Sequence, residues 1–242
     1  MSESPDIKPD DVPPLPSSFS LISTLGVVSM LSGLLVVLVY EFTKPIIAEN
    51  QRLATKRAIF KVLPKATSRL TFVVKDGKIK QLNVDDKLEG ELIYVGYDAK
   101  NQLVGVALNA AVQGYQDIIK LLYGYQPEKG CITGYDVLKS TETPGFGTKI
   151  TTDEAFLANF NCLDAKVNPS LTGLINDIKT VRHGTKQNPW EIDAIAGSTI
   201  TSNALGRMFN RSGQTLHPII TQNLSLLKQA KDKTGDKHGK DK

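Results

Sequence analysis

Two stretches of this 242-residue chain carry more hydroxyls, glycines and charge than packing alone requires. The first is Ser140-Thr141-Glu142-Thr143-Pro144-Gly145-Phe146-Gly147-Thr148-Lys149, in which two glycines flank an aromatic between an acid and a base. Gly145 and Gly147 permit positive φ and a close approach of backbone amides to a ligand. A plain turn leading into the next helix uses the same residue types. The second stretch runs from Trp190 to Asn203 and crowds Ser198, Thr199, Thr201 and Ser202 behind Gly197, just ahead of a predicted helix. A helix N-terminus offers unpaired N–H groups and the positive end of a dipole, which together suit a phosphate. Thr201 or Ser202 as a simple helix cap is the other reading. Neither the spacing and lysine of a Walker loop nor a GxSxG nucleophile elbow is present.

Composition narrows the chemistry. Three histidines and two cysteines, with no HxxxH or CxxC spacing, predict no protein-bound metal. Cys131 and Cys162 are too few for a disulfide-dense scaffold; they pair in an oxidising compartment or stay as buried thiols. The net charge is +4, and residues 228–242 supply +3 of it through six Lys against three Asp. A basic tail of that kind is not the stripe on folded elements that nucleic acid needs, so no nucleic-acid partner is expected.

The elements that must position these stretches begin with an anchor. Phe19 to Tyr40 is a run of 22 residues without a charge. As a helix it spans about 33 Å, enough for a hydrocarbon core of about 30 Å, so residues 19–40 are predicted to cross a membrane among lipid. The preceding segment, 1–18, is acidic and proline-rich, unlike the basic start of a cleaved signal peptide, and is expected to be disordered. Lys44, Arg52, Lys56 and Arg57 follow the span while only Lys8 precedes it, a bias that favours a cytoplasmic C-terminal domain.

Beyond the span, Lys44–Leu63 reads as a helix ended by Pro64, with Ile46, Leu53 and Phe60 seven residues apart. Leu70–Val74 and Ile79–Val84 flank Asp76-Gly77, a strong hairpin signal. Leu92–Tyr97, Leu103–Leu108, Ile118–Tyr125, Cys131–Leu138 and Leu174–Val181 read as further strands. Thr152 is a candidate cap for a short helix with Phe156, Leu157 and Phe160 inward. Asn203–Asn210 and His217–Ala230 read as two more helices, with Pro218 in the first turn of the second. The expectation is an α+β domain over 44–227, with an antiparallel sheet and flanking helices, followed by a disordered basic tail over 228–242.

Gly114-Tyr115, the run Glu142 to Lys149, and Asp193 to Ser202, in this order behind one span, resemble the G-type FMN-binding subunit of Rnf ion-translocating electron-transport complexes. The related C-type subunit of the Na⁺-pumping quinone reductase shares the pattern. The resemblance covers Phe19 to Leu227 and implies FMN held covalently, as a phosphoester on a threonine placed there by a flavin transferase. In the motif Asp-x-x-Ser/Thr-Gly-Ala-Thr, Asp193 matches the acid, Gly197 the glycine and Thr199 the esterified threonine. Ala196 stands where Ser or Thr is usual, and Ser198 where Ala is usual. The resemblance further implies an electron-carrying component among other membrane and peripheral subunits, single-pass in a bacterial inner membrane. Its domain would lie on the periplasmic side, against the charge bias. Glu142, Thr143, Gly145, Gly147 and Lys149 would line the flavin, with Tyr115, Phe146 or Trp190 stacking on the ring and Lys149 raising its potential. A membrane-anchored flavin-binding regulator or assembly protein is the alternative of another class.

Overall fold

The computed structural model describes residues 17–82 and 90–230, so the N-terminal segment 1–16 and the tail beyond 230 lie outside the described residues. The chain divides into two compact units at the Asn50/Gln51 boundary. α1 (Ser18–Val62) is one helix of 45 residues in place of the expected span and separate helix, and it continues through Pro45. Proline removes one backbone bond without obliging the helix to end, and the apolar residues before it and the amphipathic residues after it both favour helix. In the first unit this helix exposes Phe19, Ile22, Leu25, Met30 and Phe42 and has a mean hydropathy of 2.4 over its most apolar window. It is long and apolar enough to cross a membrane.

The second unit is built on an antiparallel sheet of seven strands among the described residues, in the order β2-β1-β3-β4-β5-β6-β7. β1 (Ser68–Lys75) and β2 (Lys78–Gln81) form the expected hairpin, with Asp76 at φ 50° and Gly77 at φ 73°, the positive values a two-residue turn requires. Residues 83 and 84 of the expected second strand lie outside the described residues. β3 (Glu91–Tyr97), β4 (Leu103–Gln113), β5 (Ile118–Gln126) and β6 (Cys131–Lys139) follow as antiparallel neighbours, and β7 (Leu163–Asp164) closes the edge.

Both faces of this sheet are covered, and the period-two pattern divides its side chains between them. Ala107 and Leu122 pack against Ala58, Ile59 and Val62 at the end of α1 and against Leu63 just after it. Val106, Leu108, Leu121, Tyr123 and Tyr125 point to the opposite core, under α3 (Thr199–Gln222). Gly124 is a necessity of the first face, because a Cβ there would lie 2.6 Å from the Val62 carbonyl oxygen.

Several expectations are corrected. The two helices expected after residue 203 are a single α3, followed by the six-residue α4 (Leu224–Gln229), which reaches into the segment assigned to the tail. Leu205, Phe209, Leu216 and Ile220 are buried along the whole rod, so packing carries the helix through the polar stretch and through Pro218. Only Lys179–Val181 of the expected 174–181 strand is a strand, β8, paired in parallel with β9 (Glu191–Asp193). Upstream of it, α3 takes the backbone instead: Leu174 and Ile178 donate to Gln214 Oε1 (2.8 Å) and Asn210 Oδ1 (2.9 Å). Asp153, not Thr152, caps α2 (Glu154–Ala158), accepting from the Phe156 N–H at 2.9 Å. Cys131 and Cys162 are joined as a disulfide linking β6 to the approach of β7.

Candidate functional site

The two stretches singled out by composition meet where the β4–β5 turn, the loop after β6 and the start of α3 converge. They wall a cavity of about 450 Å³, bordered by Tyr115 on the turn, Glu142, Thr143, Phe146 and Gly147 on the loop, and Gly197 to Thr201 at the helix start.

Glu142 is the element that joins these segments. It is 4% exposed, and its Oε1 accepts from the Gln116 N–H (3.0 Å) while its Oε2 accepts from the Thr201 hydroxyl (2.7 Å). Both bonds run to a charged acceptor and are therefore among the stronger kind. A Cβ on Gly114 would stand 2.5 Å from Glu142 Oε1, and one on Gly147 would collide with Oε2. Two glycines therefore exist here to make room for one acid. Asp117 secures the same turn. The Ile118 N–H and then the Thr141 hydroxyl (3.2 Å) hold its carboxyl below the usual carboxylate range.

The helix start differs from the expected one. α3 begins at Thr199, with Ser198 at the N-cap position and Thr201 and Ser202 already inside the first turn, so neither of the latter caps it. The Ser202 hydroxyl donates to the Ser198 carbonyl (2.9 Å) and accepts from the Ile195 N–H (3.2 Å). Gly197 has φ +80°, a conformation that turns the chain into the helix. Thr199 is exposed and borders the cavity, while Ser198 is buried at its edge. Tyr115 and Phe146, 65% and 61% exposed, stand at the cavity rim as unpacked aromatic surface.

Not every predicted site residue comes to this cavity. Gly145 (φ +78°) donates its N–H to the Thr148 hydroxyl (3.0 Å) and serves the turn beside it. Lys149 is half-buried in a short 3₁₀ turn, Gly147–Thr151, and does not border the cavity. Trp190 is half-buried and likewise outside the lining. Asp193 accepts from the Gly184 N–H (2.7 Å), stands 3.6 Å from His183, and donates its own N–H to Asn159 (3.1 Å). It fastens the loop between β8 and β9. Glu191 fastens the other end of that loop, its carboxyl pulled down to about 2 by the Gln187 N–H, the Asn188 amide and backbone, and Lys179. Burial lowers the Lys186 ammonium, with Asp193 and Glu191 opposing the shift. Sequence reasoning missed Gln116 and Ile200, and the alternative reading of Thr201 as a helix cap gives way to its bond to Glu142. The available signal was helical spacing, which places Thr201 on the first turn with Ser198.

The FMN-binding domain family matches residues 114–213, the span that holds every segment bordering the cavity. The fold is shared with NqrC of Shewanella oneidensis, at a TM-score of 0.53 and 16% identity over 68% of this chain and 87% of that one. The RnfG N-terminal region family matches residues 23–62. The G-type subunit of the ion-translocating oxidoreductase complex of Methanosarcina acetivorans is 30% identical over 188 residues, 76% of this chain and 87% of the relative. Its counterpart in the Na⁺-translocating ferredoxin:NAD⁺ oxidoreductase complex of Acetobacterium woodii is 30% identical over 210 residues, 86% and 93% of the two chains. The chain belongs to the RnfG family, the G-type subunits of ion-translocating oxidoreductase complexes.

Proposed function

We propose that this chain is a membrane-anchored electron carrier of an Rnf-type complex, holding FMN as a phosphoester on Thr199. The observation that carries the reading is the state of the hydroxyls at the start of α3. Thr201 is engaged by Glu142 and Ser202 by the Ser198 carbonyl, whereas Thr199 is exposed on the cavity. The residues present fit the group. The volume lies in the range of small-cofactor sites, the rim offers two aromatic faces, and the helix start offers N–H groups and a favourable dipole for a phosphate.

When bound, FMN supplies the redox chemistry, and the protein supplies position and electrostatics. Tyr115 and Phe146 would flank the ring, with Thr143 at its polar edge. Gly147 and Gly197 let backbone approach, and Glu142 holds the three walls together. Asp193 holds the β8–β9 loop. A flavin transferase is needed for attachment, and the remaining subunits of the complex supply the donor and the acceptor. The charge bias after the span argues for a cytoplasmic domain, but the Cys131–Cys162 disulfide argues for an oxidising compartment, and we place the domain on the periplasmic side of a bacterial inner membrane.

The test is co-expression with a flavin transferase followed by flavin fluorescence on a denaturing gel. Thr199→Val keeps the branched shape and should abolish the fluorescent band, while Ser198→Ala should retain it. A band that survives Thr199→Val and vanishes with Ser198→Ala would move the acceptor to Ser198.

A further inference from the structure

A larger cavity, of about 640 Å³, lies between β4 and α3 and shares no lining residue with the candidate site. One wall is Asn109–Gln113 of β4. The other is the face of α3 that carries Arg207, Arg211 and Thr215, with Met208 and Leu216 buried along it and Glu91 at the β3 start. The first wall is a strand edge. β3 pairs with β4 as far as Ile93 opposite Leu108, and the same register carried on sets Glu91, the first residue of β3, against Ala110. Ala111, Val112 and Gln113 run past that point. They pair with β5 on one side, and among the described residues no strand takes the other. Such an edge presents backbone N–H and C=O groups to an incoming strand. The second wall is cationic. Arg207 and Arg211 are exposed, and neither guanidinium has an ion-pair or hydrogen-bond partner among the described residues. Four residues apart, they lie on one face of the helix about 6 Å apart along its axis. Alternate residues of a strand are roughly 6.8 Å apart and also share a face, so the two spacings match.

We propose that this groove is a docking site for an extended segment of a partner protein with acidic side chains at alternate positions. Its backbone adds to the free edge of β4 at Ala111–Gln113, and its carboxylates meet Arg207 and Arg211. The walls suit such an occupant in length: Asn109–Gln113 spans about 14 Å as a strand, and Arg207 to Leu216 about the same as a helix. Ladder bonds supply affinity with little demand on sequence, and the arginine pair supplies the preference for acids. Glu91 repels a further acid at the β3 end, which fixes where the two carboxylates sit. Neither wall involves the flavin or the ester at Thr199. β4 leads from Gln113 straight into Gly114 and Tyr115 at the rim of the candidate site, so a partner held in the groove is set down beside that rim.

The experiment uses the intact complex in its native membrane, with the photo-cross-linker p-benzoylphenylalanine placed at exposed Thr215 in the groove or at exposed Lys100 on the β3–β4 turn. After irradiation the cross-linked peptide is sequenced. Thr215 should capture one segment of another protein with Asp or Glu at alternate positions, and Lys100 should not capture it. Arg207→Glu with Arg211→Glu should lower the yield at least about 10-fold, because like charges across an interface repel. Changing the two captured acids to Lys should then restore it, which also shows that the reversed chain folds. Arg207→Gln with Arg211→Gln removes the charge without reversing it and should give a smaller loss. No cross-link from Thr215, a cross-link back to this chain or to a second copy of it, a captured segment without alternate acids, or a yield indifferent to charge reversal overturns the proposal.

Discussion

Gly147→Ala should unlock the site by displacing one buried acid. Gly147 does not have a positive φ, so the perturbation is steric alone. The new Cβ would stand 2.7 Å from Glu142 Cβ and 3.1 Å from its Cδ, and closer still to Oε2. Restoring ordinary contact at about 3.4–4 Å requires a relative withdrawal of roughly 0.7–1 Å. The bonds to Thr201 (2.7 Å) and Gln116 (3.0 Å) would stretch by that amount if the carboxylate moves. At about 3.4–4 Å a hydrogen bond is largely lost. Each bond to a charged acceptor contributes about 1.5–3 kcal/mol, and partial relaxation of the exposed loop leaves an expected cost of about 3 kcal/mol. For a domain near 190 residues this lowers Tm by roughly 6–12 °C. Scanning calorimetry of the full-length chain in detergent measures it. In a Glu142→Gly background all three atoms nearest the added methyl are gone, so the same substitution should cost under about 1 kcal/mol. An equal cost in both backgrounds would refute the reasoning, since the glycine would then be needed for something other than the acid.

Burial drives the imidazole of His217, stacked on Tyr125 at 3.6 Å and bonded to the Tyr123 hydroxyl at 3.3 Å, down to about 3, with the Ala165 backbone pulling weakly the other way. The native state thus holds a neutral ring. Its contribution is fully present above about pH 6.5 and is lost as pH falls toward 3, by about 1.4 kcal/mol per unit. Urea titrations at pH 7, 6, 5 and 4 should show that slope in the parent chain and a shallower one in His217→Gln; equal slopes would assign the acid sensitivity elsewhere. For topology, Cys131 and Cys162 are paired, so a cysteine introduced at exposed Lys100 is a single free thiol among the described residues. An impermeant maleimide should label it in cells whose outer barrier is opened and whose cytoplasmic membrane is intact, and protection there would put the domain in the cytoplasm.

The sheet was legible because its signals are local. Asp76-Gly77 dictates a hairpin whatever surrounds it, and the apolar run Ile118–Tyr125 reads as a strand before its neighbours are known. What sequence could not give was set by contacts far along the chain. Leu174 and Ile178 look like strand residues, yet Gln214 and Asn210, 40 and 32 residues later, take their backbone. Polar residues 211–215 look like a break, yet the buried flank of Leu216 and Ile220 makes one helix of two. The candidate site was legible as two stretches and not as a lining. Whether Lys149 or Thr201 reaches the cavity depends on how one 3₁₀ turn and one helical turn are rotated, and a bond between residues 59 apart decides the second.

The continuity of α3 has a mechanical consequence. The rod is about 36 Å long at 1.5 Å per residue, begins at Thr199, and is embedded along its length by Leu205, Phe209, Leu216 and Ile220. A carrier meant to swing between donor and acceptor would hang from a loop, where local opening is cheap. Under the reading proposed above, the tether is instead the first residue of a girder, and shifting it means shifting the core. The cofactor then has only the freedom of its own ribityl chain, so electron delivery is a matter of which neighbours come to a fixed station. Gating, on this account, belongs to the partners and to the domain as a whole, and none of it to the arm that holds the flavin.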